Sequence, residues 1–125
     1  EDYQSVTVRV WGSQLIESGF RRLSEDGSDQ FIVVSRSGGS GPYYRLQIVD
    51  FRANGIMTWS YWSEGKPQVQ DKTILLGKFK TGRYEGAATE VDYASFRFTE
   101  TGLVPSPKGD QPHAADACRD ADAQR

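Results

Sequence analysis

The sequence predicts an all-β domain, an antiparallel β-sandwich with a small β-barrel as the alternative. Three observations lead there. Seven runs with strand-like patterning fit into roughly the first 100 residues, separated by turn signals. Thirteen glycines and five prolines supply turns, and no Leu-, Ala- and Glu-rich helical period is visible in the body of the chain. Residues 43–64, YYRLQIVDFRANGIMTWSYWSE, set two aromatic and β-branched runs around Asn54 and Gly55. Both central residues of a type I′ turn need φ > 0, which Asn and Gly tolerate best, so this pair is a strong hairpin signal.

Taken in order, residues 5–11 (SVTVRVW) alternate, with Val6, Val8 and Val10 on one side and Thr7, Arg9 and Trp11 on the other. That is the pattern of a half-buried strand. In residues 14–23 (QLIESGFRRL), Leu15, Ile16, Phe20 and Leu23 would fit a helical face. An interior glycine costs a helix about 1 kcal/mol, so a strand with a bulge near Gly19 is the better reading. Residues 24–29 (SEDGSD) form an acidic loop, 30–36 (QFIVVSR) an apolar strand, and 37–42 (SGGSGP) a flexible connection.

The hairpin follows. With a two-residue turn at Asn54 and Gly55, Asp50 faces Trp59, Ile48 faces Tyr61, Gln47 faces Trp62 and Arg45 faces Glu64. Alternation then puts Tyr44, Leu46, Ile48, Met57, Trp59 and Tyr61 on a core face, with Asp50 and Arg52 near the turn. Tyr43, Arg45, Gln47, Val49, Phe51, Thr58, Ser60, Trp62 and Glu64 fall on the other. Residues 68–71 are short and polar, and 73–80 (TILLGKFK) read as a strand in which Gly77 marks a bulge or a close approach. Residues 81–89 are a turn-rich connection, and 90–99 (EVDYASFRFT) are the last strand. Beyond Gly102, Pro105, Pro107 and Pro112 accompany Ala, Asp and Arg, and no apolar residue recurs. Burial cannot offset the entropy of ordering such a stretch. The expected organisation is a sandwich over residues 1–102 and a tail or linker over 103–125.

At 125 residues, the chain is long enough for one domain with one core. The formal net charge is −2 with both signs interspersed. No basic stripe marks a nucleic-acid partner, and no apolar run approaches the roughly 20 residues of a membrane-crossing helix. Glu1 reads as the start of a processed or excised segment. Cys118 is the single cysteine, so no internal disulfide framework exists. It reads as an incidental thiol, or more sharply as one side of an intermolecular bridge.

Catalysis finds little support. The single histidine, His113, lies in the expected tail, which argues against a Ser-His-Asp or Cys-His arrangement. Asp50, Glu64, Glu90 and Asp92 are candidates by type for the two carboxylates of a glycosidase. Asp50, near Arg52 and Arg9, fits a structural ion pair equally well. Glu25, Asp26 and Asp29 around Gly27 offer hard oxygen ligands for calcium, against the plainer reading of a solvated turn. Zinc is excluded by the one Cys and one His. The glycine-rich residues 37–41 lack the Lys-Ser/Thr of a phosphate loop. What remains is stacking. Sugars pack their C–H patches on flat rings while their hydroxyls reach neighbouring polar groups. Trp62, Tyr43, Arg45 and Gln47 combine both, and Trp11 and Tyr84 are further stacking candidates.

Residues 76–98, LGKFKTGRYEGAATEVDYASFRF, resemble the closing segment of concanavalin A-like jelly rolls attached to polysaccharide-processing enzymes. Gly77, Phe79, Gly82, Asp92, Tyr93, Phe96, Arg97 and Phe98 match that pattern in type. Residues 31–50, FIVVSRSGGSGPYYRLQIVD, are similar to the two central strands of the same family. The likeness covers about half the chain, which lacks the Trp-His strand of related lectin-like modules. It implies a jelly-roll-like sandwich, a carbohydrate partner and a secreted or extracellular setting. The expected function is therefore a non-catalytic carbohydrate-binding domain. Trp62 and Tyr43 would stack on the sugar, and Arg45 and Gln47 would hold its hydroxyls. The alternatives are an assembly domain that buries the same aromatic face against another copy or domain, and a small glycan-cleaving enzyme.

Overall fold

Among the described residues, eight antiparallel strands pair only with their neighbours in sequence. β1 (Gln14–Arg21), β2 (Gln30–Arg36), β3 (Tyr43–Arg52) and β4 (Gly55–Glu64) form one four-stranded sheet. β5 (Gln68–Gln70), β6 (Thr73–Phe79), β7 (Val91–Thr99) and β8 (Gly102–Pro105) form the second. The computed structural model describes residues 7–10, 14–38 and 43–106. The expected all-β sandwich is thus present, built as two successive meanders, and neither sheet closes into a barrel.

The core follows from strand alternation. Ile32 pairs with Ile48 and Val34 with Leu46, so all four side chains leave the first sheet on one side. They meet Ile74 and Phe98 of the second sheet, and Leu23 closes the group. All seven are essentially solvent-free. Removing one such side chain from water contributes about 1.5–3 kcal/mol. Trp59 packs edge-on against Phe98 at 5.1 Å between centroids, and the Tyr61 hydroxyl accepts the Leu103 amide at 2.9 Å. Gly102 permits this approach: a Cβ there would lie 2.6 Å from the Tyr61 hydroxyl.

Gln30 and Asp50 are opposite in the ladder and buried on the same side. The Gln30 amide donates to Asp50 Oδ1 at 3.1 Å, and Arg52 Nε donates to Oδ2 at 2.8 Å. Gln30 Oε1 accepts from the Leu23 and Ser24 amides, which fixes the start of the acidic loop. Arg52 also donates to the Glu100 carbonyl at 2.6 Å, linking the two sheets at this end. Asp50 is therefore the structural ion pair that its neighbours suggested, with Arg52 as the cation.

Four expectations are corrected. The hairpin register is shifted: Arg52 pairs with Gly55, Ile48 with Trp59 and Arg45 with Trp62. Ala53 and Asn54 form the turn. Asn54 is not left-handed, and Gly55 takes φ 140° as the first residue of β4. The shift changes each pair by two positions, so the faces expected for both strands survive. The bulge in β1 falls between Leu15 and Glu17 rather than at Gly19, and it lets Ile16 reach the core. Residues 7–10 form no strand. Residues 103–105 are not tail: β8 pairs with β7, and Leu103 packs against the core. Polar β5 and short β8 bring the strand count above the expected seven.

Candidate functional site

The outer face of the first sheet carries the expected stacking residues at the end where β3 begins. Cross-strand pairing sets Arg45 against Trp62 and Tyr43 against Glu64. The Arg45 guanidinium carbon lies 5.1 Å from the Trp62 ring centroid, a cation–π distance. Tyr43 leans on Trp62 at 5.6 Å with an interplanar angle of 32°. Trp62 is nevertheless 42% exposed, while Tyr43 and Arg45 are half-buried.

The aromatic row continues onto the second sheet. Tyr43 meets Phe79 edge-on at 5.6 Å, and Phe79 meets Tyr84 at 5.8 Å. Phe79 is buried, whereas Tyr84 is 37% exposed. Tyr84 thus joins Trp62 and Tyr43 through a buried ring that sequence reasoning did not include.

The two sheets are clasped beside this row. β5 pairs with β6 only as far as Leu75. Beyond it, the Gly77 amide donates to Ser63 Oγ at 2.8 Å and the Phe79 amide donates to Glu64 Oε1 at 2.6 Å. Side chains from β4 thereby replace the missing strand for two amides. Ser63 in turn donates to the Gly65 carbonyl at 2.7 Å. A Cβ on Gly77 would stand 2.4 Å from the Glu64 carbonyl oxygen, so the close approach expected there is real. Glu64 belongs to this clasp. Of the other acids, Glu90 pairs with Lys80 at 3.4 Å, and Asp92 is exposed on β7.

Gln47 is engaged elsewhere. Its amide donates to the Arg9 carbonyl at 2.8 Å, so residues 7–10 lie across the outer face of the first sheet. Val8 and Val10 are half-buried, while Thr7 and Arg9 are exposed, so the expected alternation persists without a ladder. Val33 and Val49 on that face are only 2% and 1% exposed. Trp11 lies outside the described residues, as do His113 and Cys118.

The acidic loop does not gather its carboxylates. Glu25 reaches Arg97 at 2.5 Å and Lys72 at 3.8 Å, and Asp29 pairs with Arg22 at 3.3 Å. Asp26 accepts from the Ser28 amide at 2.9 Å. The Ser28 amide and hydroxyl, helped by the Ser24 hydroxyl, hold the Asp26 carboxyl down at about 2. Among the described residues, no group of three or more His, Cys, Asp or Glu could hold a metal ion. At the second sheet, burial pushes the Tyr93 hydroxyl above its ordinary value of 10.0, and this hydroxyl donates to the Lys66 carbonyl at 3.1 Å.

A second feature escaped sequence reasoning. Phe20 meets Phe31 edge-on at 5.0 Å and lies 6.3 Å from Phe51. Phe20 and Phe51 are 61% and 43% exposed, and Ile56 opposite Phe51 is 45% exposed. This apolar patch occupies the hairpin-turn end of the same outer face. No family model matches the chain, and no curated protein or solved structure was found to be similar to it.

Proposed function

We propose that this protein is a non-catalytic β-sandwich that binds carbohydrate at the Arg45–Trp62–Tyr43 corner of its outer sheet face. The partly exposed indole of Trp62 carries the reading, because the accessible part of a large ring beside a guanidinium and a phenol offers both contacts a sugar uses. The sugar ring packs on Trp62 and on the accessible part of Tyr43, with Tyr84 at the far end of the row. The guanidinium of Arg45 supplies hydrogen bonds to hydroxyls. Gln47 drops out of the set, since its amide already serves the Arg9 carbonyl. Isothermal titration against a glycan panel tests the site. Binding by the native chain that vanishes in Trp62→Ala is the expected result, and unchanged affinity in that variant overturns it.

A second reading, an assembly domain, is favoured by the Phe20–Phe31–Phe51 patch. Contiguous exposed apolar surface of this kind marks protein contacts. A chain that sediments as an oligomer and binds no member of the panel would favour that reading over the first.

A further inference from the structure

The sheet edges are guarded unequally. β1, at one edge of the first sheet, carries a bulge and the charged Glu17 and Arg21. β5 has three residues, and β8 has four ending in Pro105. Short strands, bulges, charges and proline are the devices that keep edges from pairing with other chains. β4, the remaining edge, has ten residues, no proline and an unbroken register against β3. No charged side chain stands between Gly55 and Ser63. Among the described residues, no backbone-to-backbone hydrogen bond from outside its ladder with β3 reaches β4, although the Gly77 and Phe79 amides bond the Ser63 and Glu64 side chains at its last two residues.

The side chains of β4 are also complementary to themselves. Counting outward from Trp59, Thr58 and Ser60 are equidistant, as are Met57 and Tyr61, and Ile56 and Trp62. We propose that β4 pairs antiparallel with β4 of a second copy about a two-fold axis at Trp59, giving a dimer whose outer sheets run on as one. Ile56 then faces Trp62, Met57 faces Tyr61 and Thr58 faces Ser60 across the axis. Aliphatic-on-aromatic and hydroxyl-on-hydroxyl cross-strand pairs of this kind are stabilising. Ile56, Met57 and Trp62 are 45%, 44% and 42% exposed in the single chain, and the pairing covers part of each. A two-fold contact sets a surface against itself, so a charged strand would meet like charge. β4 offers none along its shared length. Because residue 59 faces its own copy, both outer faces end on the same side of the joined sheet.

The pairing does not depend on the carbohydrate reading, which titration tests separately. Sedimentation of the full chain should give the mass of two copies. The double variant Thr58→Lys, Ser60→Lys sets lysines opposite one another and should sediment as a single copy. Mixing it with Thr58→Glu, Ser60→Glu should restore the double mass. A native chain that stays single at its highest soluble concentration overturns the proposal. So does a lysine variant that stays paired, or a mixture that does not recover pairing. Should the lysine variant fail to fold by circular dichroism, amide hydrogen exchange of the native chain decides. Protection of the β4 amides that falls on dilution is expected, and protection independent of concentration overturns the pairing.

Discussion

Trp62 keeps 42% of its surface in water although Arg45 and Tyr43 flank it. Truncating it also removes its packing on Arg45 and Tyr43, so Trp62→Ala should lower the thermal midpoint while weakening glycan binding at least about tenfold, or about 1.4 kcal/mol. Parallel melting and titration separate the two effects. Gly77 is the opposite case. Its hydrogen sits where a methyl would strike the Glu64 carbonyl and Val91. Gly77→Ala should cost about 1–3 kcal/mol in denaturant unfolding, as overpacking does. An unaltered midpoint would contradict the clasp. Asp26 gives a pH signature. Its folded value, about 2, lies below the ordinary 3.8, so the ionised carboxylate favours the folded loop. That contribution is present above about 3.8 and is lost as pH falls through about 2. An NMR titration of the Ser28 amide should therefore turn near 2, and a turn near 3.8 would sink the assignment. Tyr93 has the reverse sign: its raised value favours folding below pH 10 and loses that benefit as alkali ionises it.

At the scale of strands, β8 shows what a short terminal element contributes. Leu103 packs on the core, and its amide occupies the Tyr61 hydroxyl. Ending the chain at Thr101 should therefore lower stability by about 2 kcal/mol or more, read from the urea midpoint. The sequence could not announce this strand, because four residues ending in proline carry no period of their own. β5 was hidden in the same way by Gln68 and Gln70, which leave only Val69 apolar. Long patterned runs were legible: β2 spans the expected residues 30–36, and the faces of β3 and β4 came out correctly. Their register did not, because Asn-Gly marks a turn without fixing which residue sits at its centre. Gly55 used its freedom at the first strand position instead. That slip matters for the site, since it is what brings Arg45 rather than Gln47 opposite Trp62. The loss of Gln47 to Arg9 was not legible, because the two are 38 residues apart and the segment over the sheet forms no ladder.

For the molecule as a whole, the two sheets meet through one core and are tied at both ends by polar groups. Arg52 on Glu100 and Glu25 on Arg97 and Lys72 hold one end, and Ser63 and Glu64 on β6 hold the other. The Glu25 contacts involve an exposed carboxylate, so they add little and should weaken further with salt. The Ser63 and Glu64 bonds are shielded and carry more. Every backbone ladder among the described residues, by contrast, begins and ends on one side of Lys66. A cut at the peptide between Lys66 and Pro67 would sever no strand pairing. The halves 1–66 and 67–125, made separately, should then reconstitute a one-to-one complex with the native near-ultraviolet spectrum. Failure of the mixed fragments to associate would mean that covalent continuity, more than matched oily surfaces, is what keeps the two layers together.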